Sequence, residues 1–307
     1  QSRHDYGAPP GIAMMDTLIK EMQKRKIQVM DDVLLVDLIK RDGCVVGATA
    51  LDCKKNKMIS IGARSVVLAT GTYSQIFDPT TVSLQETGDG HCAAYRAGAE
   101  LVDMENTQFV ATDSRFSSAS VFLNGRGEEF LPNYGINSPR DIAKEELCYA
   151  VWKEVRDGRG TPTDKIYIDL AGDCSRDVSS SLLSPRTTCG QCRYCVSGDE
   201  DLCNFPKGVV ESGPMAHTAT GGIRINDRCE TTLPGLYAAG AVAGAVYGHA
   251  RPQGYTSMIT LVLGRRAGMF AGQFQTMSTS KRVLLDASEI QASMHRAIDV
   301  VGRTSGL

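Results

Sequence analysis

The chain has 307 residues, 42% of them hydrophobic and 22% charged, which excludes a disordered polypeptide and leaves room for two domains with cores of their own. Lys and Arg total 33 against 35 Asp and Glu, a formal charge of -2, so no nucleic-acid surface and no polybasic membrane anchor is advertised. No apolar run approaches the roughly 20 residues of a membrane span, and the opening QSRHDYGAPPG lacks a signal-peptide layout, so a cytoplasmic protein is expected. The first residue is Gln rather than Met, and the chain is read as a piece of a longer polypeptide.

Ile12, Met15, Leu18, Ile19 and Met22 recur at helical spacing and predict an amphipathic helix over 11–25. Three β-rich runs follow, Ile27 to Met30, Val33 to Ile39 and Cys44 to Leu51, the last two joined by an Asp42-Gly43 turn. Ser65 to Gly71 is a continuous apolar run ending in glycine, as expected of a parallel strand covered on both faces, and Leu233 to Gly240 repeats the form. Two such strands far apart in sequence predict one doubly wound sheet interrupted by an insertion over about 110–214.

Within the insertion, Ser138-Pro139-Arg140-Asp141 reads as a helix start: Ser caps, Pro suits the first position and Asp favours the positive dipole end. A cation in that first turn opposes the dipole, which is odd for structure alone. Ile166 to Leu170 reads as a strand, residues 171–212 as turn-rich, and 254–275 and 287–300 as closing helices.

Four stretches, TGDGHCAAYRAGAELVDMENTQF, LNGRGEEFLPNYGINSPRD, AHTATGGIRIND and CETTLPGLYAAGAVAGAVYGHARPQGYTSM, with SVVLATGTYSQIF and IYIDL, resemble in order and spacing the flavoprotein family of fumarate reductase, succinate dehydrogenase and L-aspartate oxidase. The resemblance covers most of residues 10–275. It implies an α/β fold: an incomplete FAD-binding doubly wound sheet with an inserted α+β capping domain. The FAD domain would occupy 1–109, lacking its N-terminal GxGxxG unit, and 215–275; the cap 110–214; a helical tail 276–307. The cofactor implied is FAD, the substrate a small carboxylate, and the partner an iron-sulfur electron-transfer subunit that holds the protein at the membrane periphery.

The same resemblance implies site residues. Gly71 and Gly240 end strands where backbone approaches a flat cofactor, with Thr70 and Ala241 beside them; Ala241 stands where a ribityl-binding glutamate is common. Gly88-Asp89-Gly90 opens a helix, and either its free N–H groups face a phosphate or ribityl hydroxyl, or Asp89 is only an N-cap. Thr256 and Ser257 would bond the flavin edge. Arg140 falls on the position of the proton donor, with Asp113 and Arg115 completing a relay, and His217 and Arg251 match the substrate carboxylate ligands. Val110 and Ala219 depart from the pattern: a histidine that helps hold a second carboxylate and a threonine are absent. Such losses, about 1.5–3 kcal/mol each, put a dicarboxylate in doubt.

Cys189, Cys192, Cys195 and Cys203 follow C-x2-C-x2-C-x7-C, a metal spacing similar to the structural zinc lobe of medium-chain alcohol dehydrogenases. Zinc is the favoured reading, an iron-sulfur cluster the runner-up, and unligated thiols the bland one. A competing class for the whole chain is a non-catalytic, flavoprotein-like, metal-binding subunit of an electron-transfer complex.

Overall fold

The computed structural model describes residues 10–112, 116, 120–140, 142–169, 209–248, 251, 255–274 and 283–301. Helix α1 (Pro10–Lys24) forms as its periodicity predicts, and its apolar residues Ile12, Met15, Leu18, Ile19 and Met22 remain exposed. Ile27 to Met30 is not a strand: Ile27, Val29 and Met30 are exposed, and no ladder takes their backbone groups. A β-rich tetrapeptide without a partner gains nothing from regularity. Strands β1 (Val33–Arg41) and β2 (Cys44–Asp52) make the expected antiparallel hairpin. Asp42 (φ 49°) and Gly43 (φ 78°) both adopt the left-handed conformation that a tight hairpin turn requires. A third strand, β3 (Lys57–Gly62), not anticipated from the sequence, pairs with β2.

The chain then enters β4 (Val66–Leu68), helix α2 (Asp89–Ala97), β5 (Leu101–Val102) and β6 (Thr107–Val110). A compact unit follows: β7 (Val121–Leu123), helix α3 (Lys144–Glu154), β8 (Ile166–Asp169) and β9 (Val209–Ser212), the strands forming an antiparallel sheet in the order β7-β8-β9. Phe122, Phe130, Leu147, Val151, Ile166 and Ile168 bury their side chains in one cluster there, drawn from the stretch read as an insertion.

The helix start is a correction. α3 begins at Lys144 behind an extended Ala143, not at Ser138. The Ser138 hydroxyl is buried with no hydrogen-bond partner, so it caps nothing, and Pro139 and Arg140 form a turn. Glu145 and Glu146 supply the negative charge of the first turn in place of Asp141.

Beyond β9 come β10 (Met215–Ala219), β11 (Gly222–Ile223), β12 (Leu236–Ala238), α4 (Tyr255–Gln273) and α5 (Ala287–Val301). β12 pairs in parallel with β4, matching Leu68 to Ala238, so the two glycine-ended runs do lie side by side, as a two-stranded sheet among the described residues. β10 pairs antiparallel with β6 and β11 with β5. Leu38, Leu68, Ala94, Ile223, Leu236 and Val242 fill the core between this sheet, α2 and the hairpin. α5 is tied to the hairpin by polar contacts: Arg296 Nε to the wholly buried Asp37 at 2.9 Å, Arg41 Nε to Glu289 at 2.5 Å, and Ser293 with Thr49 at 2.8 Å. Arg96 Nε lies 3.4 Å from the other Asp37 oxygen, a charge contact without hydrogen-bond alignment.

His91, on α2, is 3% exposed, stands edge-on to Tyr73 at 5.0 Å, and has no hydrogen-bond partner on either ring nitrogen. Burial alone holds its pKa down to about 4. The unfolded chain therefore binds this proton more readily, so the contribution is fully present above about pH 6.5 and drains away as pH falls towards 4. Between about pH 7.5 and about pH 5 the expected loss is about 2 kcal/mol. Urea unfolding of the wild type and of His91→Leu at both pH values should show the smaller acid loss in the variant; equal losses would refute the assignment.

Candidate functional site

Two groups of residues come together where β4 and β12 end. Thr70 and Gly71 follow β4, and Gly240 follows β12, with Gly71 (φ 78°) and Gly240 (φ 77°) in the left-handed conformation. The first turn of α2 packs directly on this edge, since a Cβ on Gly90 would stand 2.0 Å from Thr70 Oγ1. The N-cap of α2 is Gly88, which makes Asp89 the first helical residue; its carboxylate accepts a 2.8 Å hydrogen bond from Thr87 Oγ1. Ala241 sits half-buried in the 3-10 turn Gly240–Val242, against which α4 packs. Thr256, in the first turn of α4, and Thr70 each hold a buried hydroxyl oxygen with no hydrogen-bond partner, whereas Ser257 is exposed. Each of these two hydroxyls lacks a partner that the described residues could supply. This edge, outside the carboxyl ends of parallel strands, is where open α/β sheets bind cofactors.

The second group lies on the β6–β10 ladder. His217 occupies an irregularity between Ala216, opposite Phe109, and Thr218, opposite Gln108, so the ladder is interrupted at the histidine. Its Nδ1 shares a 2.7 Å hydrogen bond with Thr81 Oγ1. Arg251, 8% exposed, donates from Nε (3.2 Å) and Nη2 (2.9 Å) to Gln108 Oε1. Gln108 returns its amide N–H groups to Glu145 Oε1 at 2.6 Å and to the Arg251 carbonyl at 3.1 Å. A neutral amide thus holds the guanidinium, and no carboxylate among the described residues forms an ion pair with it. The two groups are joined: the Ala219 N–H, two residues beyond His217, donates to Thr72 Oγ1 (3.1 Å) and Ser74 Oγ (2.7 Å) in the loop after Gly71.

Positive charge dominates the electrostatics of this group. Burial first, then the charges of Lys144 and Arg251, push the His217 imidazole down to about 4, so it is neutral near pH 7. Burial and the Arg251 charge lower the Lys144 ammonium, outweighing the attraction of Glu145. Burial also lowers Arg251.

Of the residues singled out from the sequence, His217 and Arg251 are brought together, and Arg140 lies in the turn before α3. Its guanidinium is exposed, donating from Nε (3.0 Å) and Nη2 (2.6 Å) to the Phe116 carbonyl and lying 5.5 Å from the Phe116 ring centre. Neither Arg251 nor Lys144 owes its shift to Arg140. Asp113, Arg115 and the cysteines Cys189, Cys192, Cys195 and Cys203 lie outside the described residues. Among the described residues no group of His, Cys, Asp and Glu could hold a metal ion, and no helix is long and apolar enough to cross a membrane. Val110 pairs with Met215 across the ladder, and Ala219 is fully buried. Lys144, Glu145, Gln108 and Thr81 were not singled out from the sequence. The sequence reading placed its first-turn cation at Arg140, whereas the cation in the first turn of α3 is Lys144.

Comparison with known proteins gives a consistent picture. Residues 1–257 match the FAD binding domain family. The chain is 30% identical over 294 residues to a fumarate reductase (CoM/CoB) subunit of Methanothermobacter marburgensis, covering 90% of this chain and 51% of that protein. It is 28% identical over 281 residues to L-aspartate oxidase of Bacillus subtilis, covering 86% and 49%. Among solved structures, Mycobacterium smegmatis Sdh1 in complex with UQ1 aligns with a TM-score of 0.67 at 27% identity, over 92% of this chain and 48% of that one. The chain spans about half the length of the curated relatives it matches.

Proposed function

The chain belongs to the FAD binding domain family of fumarate reductase, succinate dehydrogenase and L-aspartate oxidase flavoproteins, and from that premise we propose that it serves flavin-dependent oxidation or reduction of a C–C or C–N bond beside a carboxylate. One observation carries the reading: a buried arginine with no ion pair among the described residues stands by a neutral histidine, on a ladder hydrogen-bonded to the loop that ends β4. A guanidinium so held is preorganised for a carboxylate.

The orphaned hydroxyls of Thr70, past the carboxyl end of β4, and of Thr256, in the first turn of α4, fit a polar ligand at that edge. Thr70, Gly71, Asp89, Gly240, Ala241, Thr256 and Ser257 would hold FAD. When bound, FAD supplies hydride exchange with the substrate carbon. Arg251 binds and polarises the substrate carboxylate, and His217, oriented by Thr81, donates a second hydrogen bond to it. Arg140, in the turn before α3, would deliver or remove the proton, as the family resemblance implies. The FAD-binding lobe comprises 1–109 and 215–275, the cap 110–214 and the tail 276–307. The partner is an iron-sulfur electron-transfer subunit, and the setting is cytoplasmic, peripheral to a membrane through that partner. Cysteine spacing supports a structural zinc at Cys189, Cys192, Cys195 and Cys203, with an iron-sulfur cluster as the alternative.

An absorption spectrum of the purified natural polypeptide is the test. Flavin bands that bleach on reduction and recover on adding a carboxylate acceptor are expected. Flavin-free material would leave the non-catalytic scaffold standing instead. Metal analysis of the same sample should give zinc without acid-labile sulfide; iron with sulfide would replace zinc by a cluster.

A further inference from the structure

We propose that Glu86 is a cofactor ligand whose carboxylate accepts hydrogen bonds from sugar hydroxyls of the bound dinucleotide, just past the carboxyl end of β4. The inference rests on the reading of this edge as the FAD site and deepens it, because it says which part of the cofactor meets the strand end. Gly71 carries the observation. A Cβ there would stand 2.8 Å from Glu86 Oε1 and 3.3 Å and 3.4 Å from its Cγ and Cδ, so the carboxylate lies directly on the glycine. The main chain that delivers it is pinned: the Glu86 N–H donates to the Ser83 carbonyl at 3.1 Å, and the Glu86 carbonyl accepts from the Gln75 N–H at 3.2 Å. The flanking contacts are as tight, since Gly88 packs on Tyr73 and Gly90 on Thr70 with no room for a Cβ at either.

The carboxylate is half-buried and makes no hydrogen bond or ion pair among the described residues. Asp89 differs, because its carboxylate is already engaged by Thr87 Oγ1 at 2.8 Å. In the same corner the Thr70 hydroxyl is buried without a partner. A free acceptor beside an unpaired hydroxyl suits a ligand that brings hydroxyl groups of its own. The neighbouring strand end supplies no rival side chain. β12 runs parallel to β4 with Leu68 opposite Ala238, and Gly240 and Ala241 stand two and three residues past that last pair, as Thr70 and Gly71 do on β4. Neither Gly240 nor Ala241 has a polar side chain. Charge decides which part of a dinucleotide is placed here. A pyrophosphate is repelled by Glu86 and Asp89, whereas a sugar hydroxyl donates to a carboxylate in a charge-assisted bond. The first turn of α2 therefore meets hydroxyls, and the phosphates lie elsewhere.

The test is cofactor binding rather than turnover: FAD is titrated into the flavin-depleted natural polypeptide and followed by flavin fluorescence. Glu86→Gln keeps the shape and removes the charge, and it should weaken FAD about tenfold or more, the worth of one charge-assisted hydrogen bond. The melting temperature of the cofactor-free protein should stay near the wild-type value, because no partner among the described residues is stranded. Two FAD analogues, one whose ribityl chain and one whose ribose has lost its free hydroxyls, identify the sugar. The wild type should prefer FAD over one of them, and that preference should shrink about tenfold in Glu86→Gln. Equal FAD affinity in the wild type and Glu86→Gln, or an unchanged preference over both analogues, overturns the proposal. Tighter FAD binding in Glu86→Gln overturns it too, since relief of repulsion puts the pyrophosphate at Gly71. If the wild type holds FAD and Glu86→Gln changes nothing, only the role of Glu86 fails; if the wild type holds no FAD, the cofactor reading fails with it.

Discussion

Arg251→Met is expected to lower kcat/KM about 10²–10⁴-fold with a carboxylate acceptor such as fumarate, while flavin content stays near that of the wild type. The magnitude follows from two charge-assisted hydrogen bonds of about 1.5–3 kcal/mol each, at about 1.4 kcal/mol per decade of rate. Arg251 is 8% exposed and held by Gln108 through both Nε and Nη2, so its orientation is set before ligand arrives. Lysine cannot reproduce that fork, and Arg251→Lys should recover little. Because the guanidinium is not part of an ion pair among the described residues, its removal strands no carboxylate, and the melting temperature should fall only modestly. A loss of less than about threefold in steady-state kinetics would remove Arg251 from the site.

Arg140→Gln is expected to cut turnover about 10²–10⁴-fold, the usual worth of a general acid, with succinate affinity and flavin content retained. Its exposed guanidinium donates to the Phe116 carbonyl, and Arg251 rather than Arg140 is the cation held by Gln108. Loss of binding alone should therefore not accompany the change, and a fall in kcat at constant substrate affinity separates proton delivery from carboxylate binding. Turnover at the wild-type level in Arg140→Gln would end its role as acid.

The parts of the fold legible in the sequence are those decided by local periodicity or turn chemistry. The helical spacing of Ile12 to Met22, the Asp42-Gly43 turn and the glycine-ended runs at Gly71 and Gly240 each report a local constraint, and each element is present. β3 escaped notice because KMISIG is short and lies on an exposed face, so its identity comes from pairing with β2. The start of α3 was misplaced for a related reason. Ser-Pro-x-Asp carries every local sign of a cap, but the Ser138 hydroxyl is buried away from the helix and the turn at Pro139 intervenes. Of the candidate site, His217 and Arg251 were singled out through motif context. Gln108, Glu145, Lys144 and Thr81 were not, because their roles arise from contacts between residues 37, 143 and 136 positions apart.

Gln108 has a consequence of its own. The same amide touches α3 through Glu145 and both the main chain and the side chain of Arg251, while its backbone belongs to β6. Any withdrawal of α3 from the ladder must tilt that amide, and any tilt misaligns the fork it steadies. The seat of the helix on the strands and the aim of the guanidinium are thus coupled through one amide.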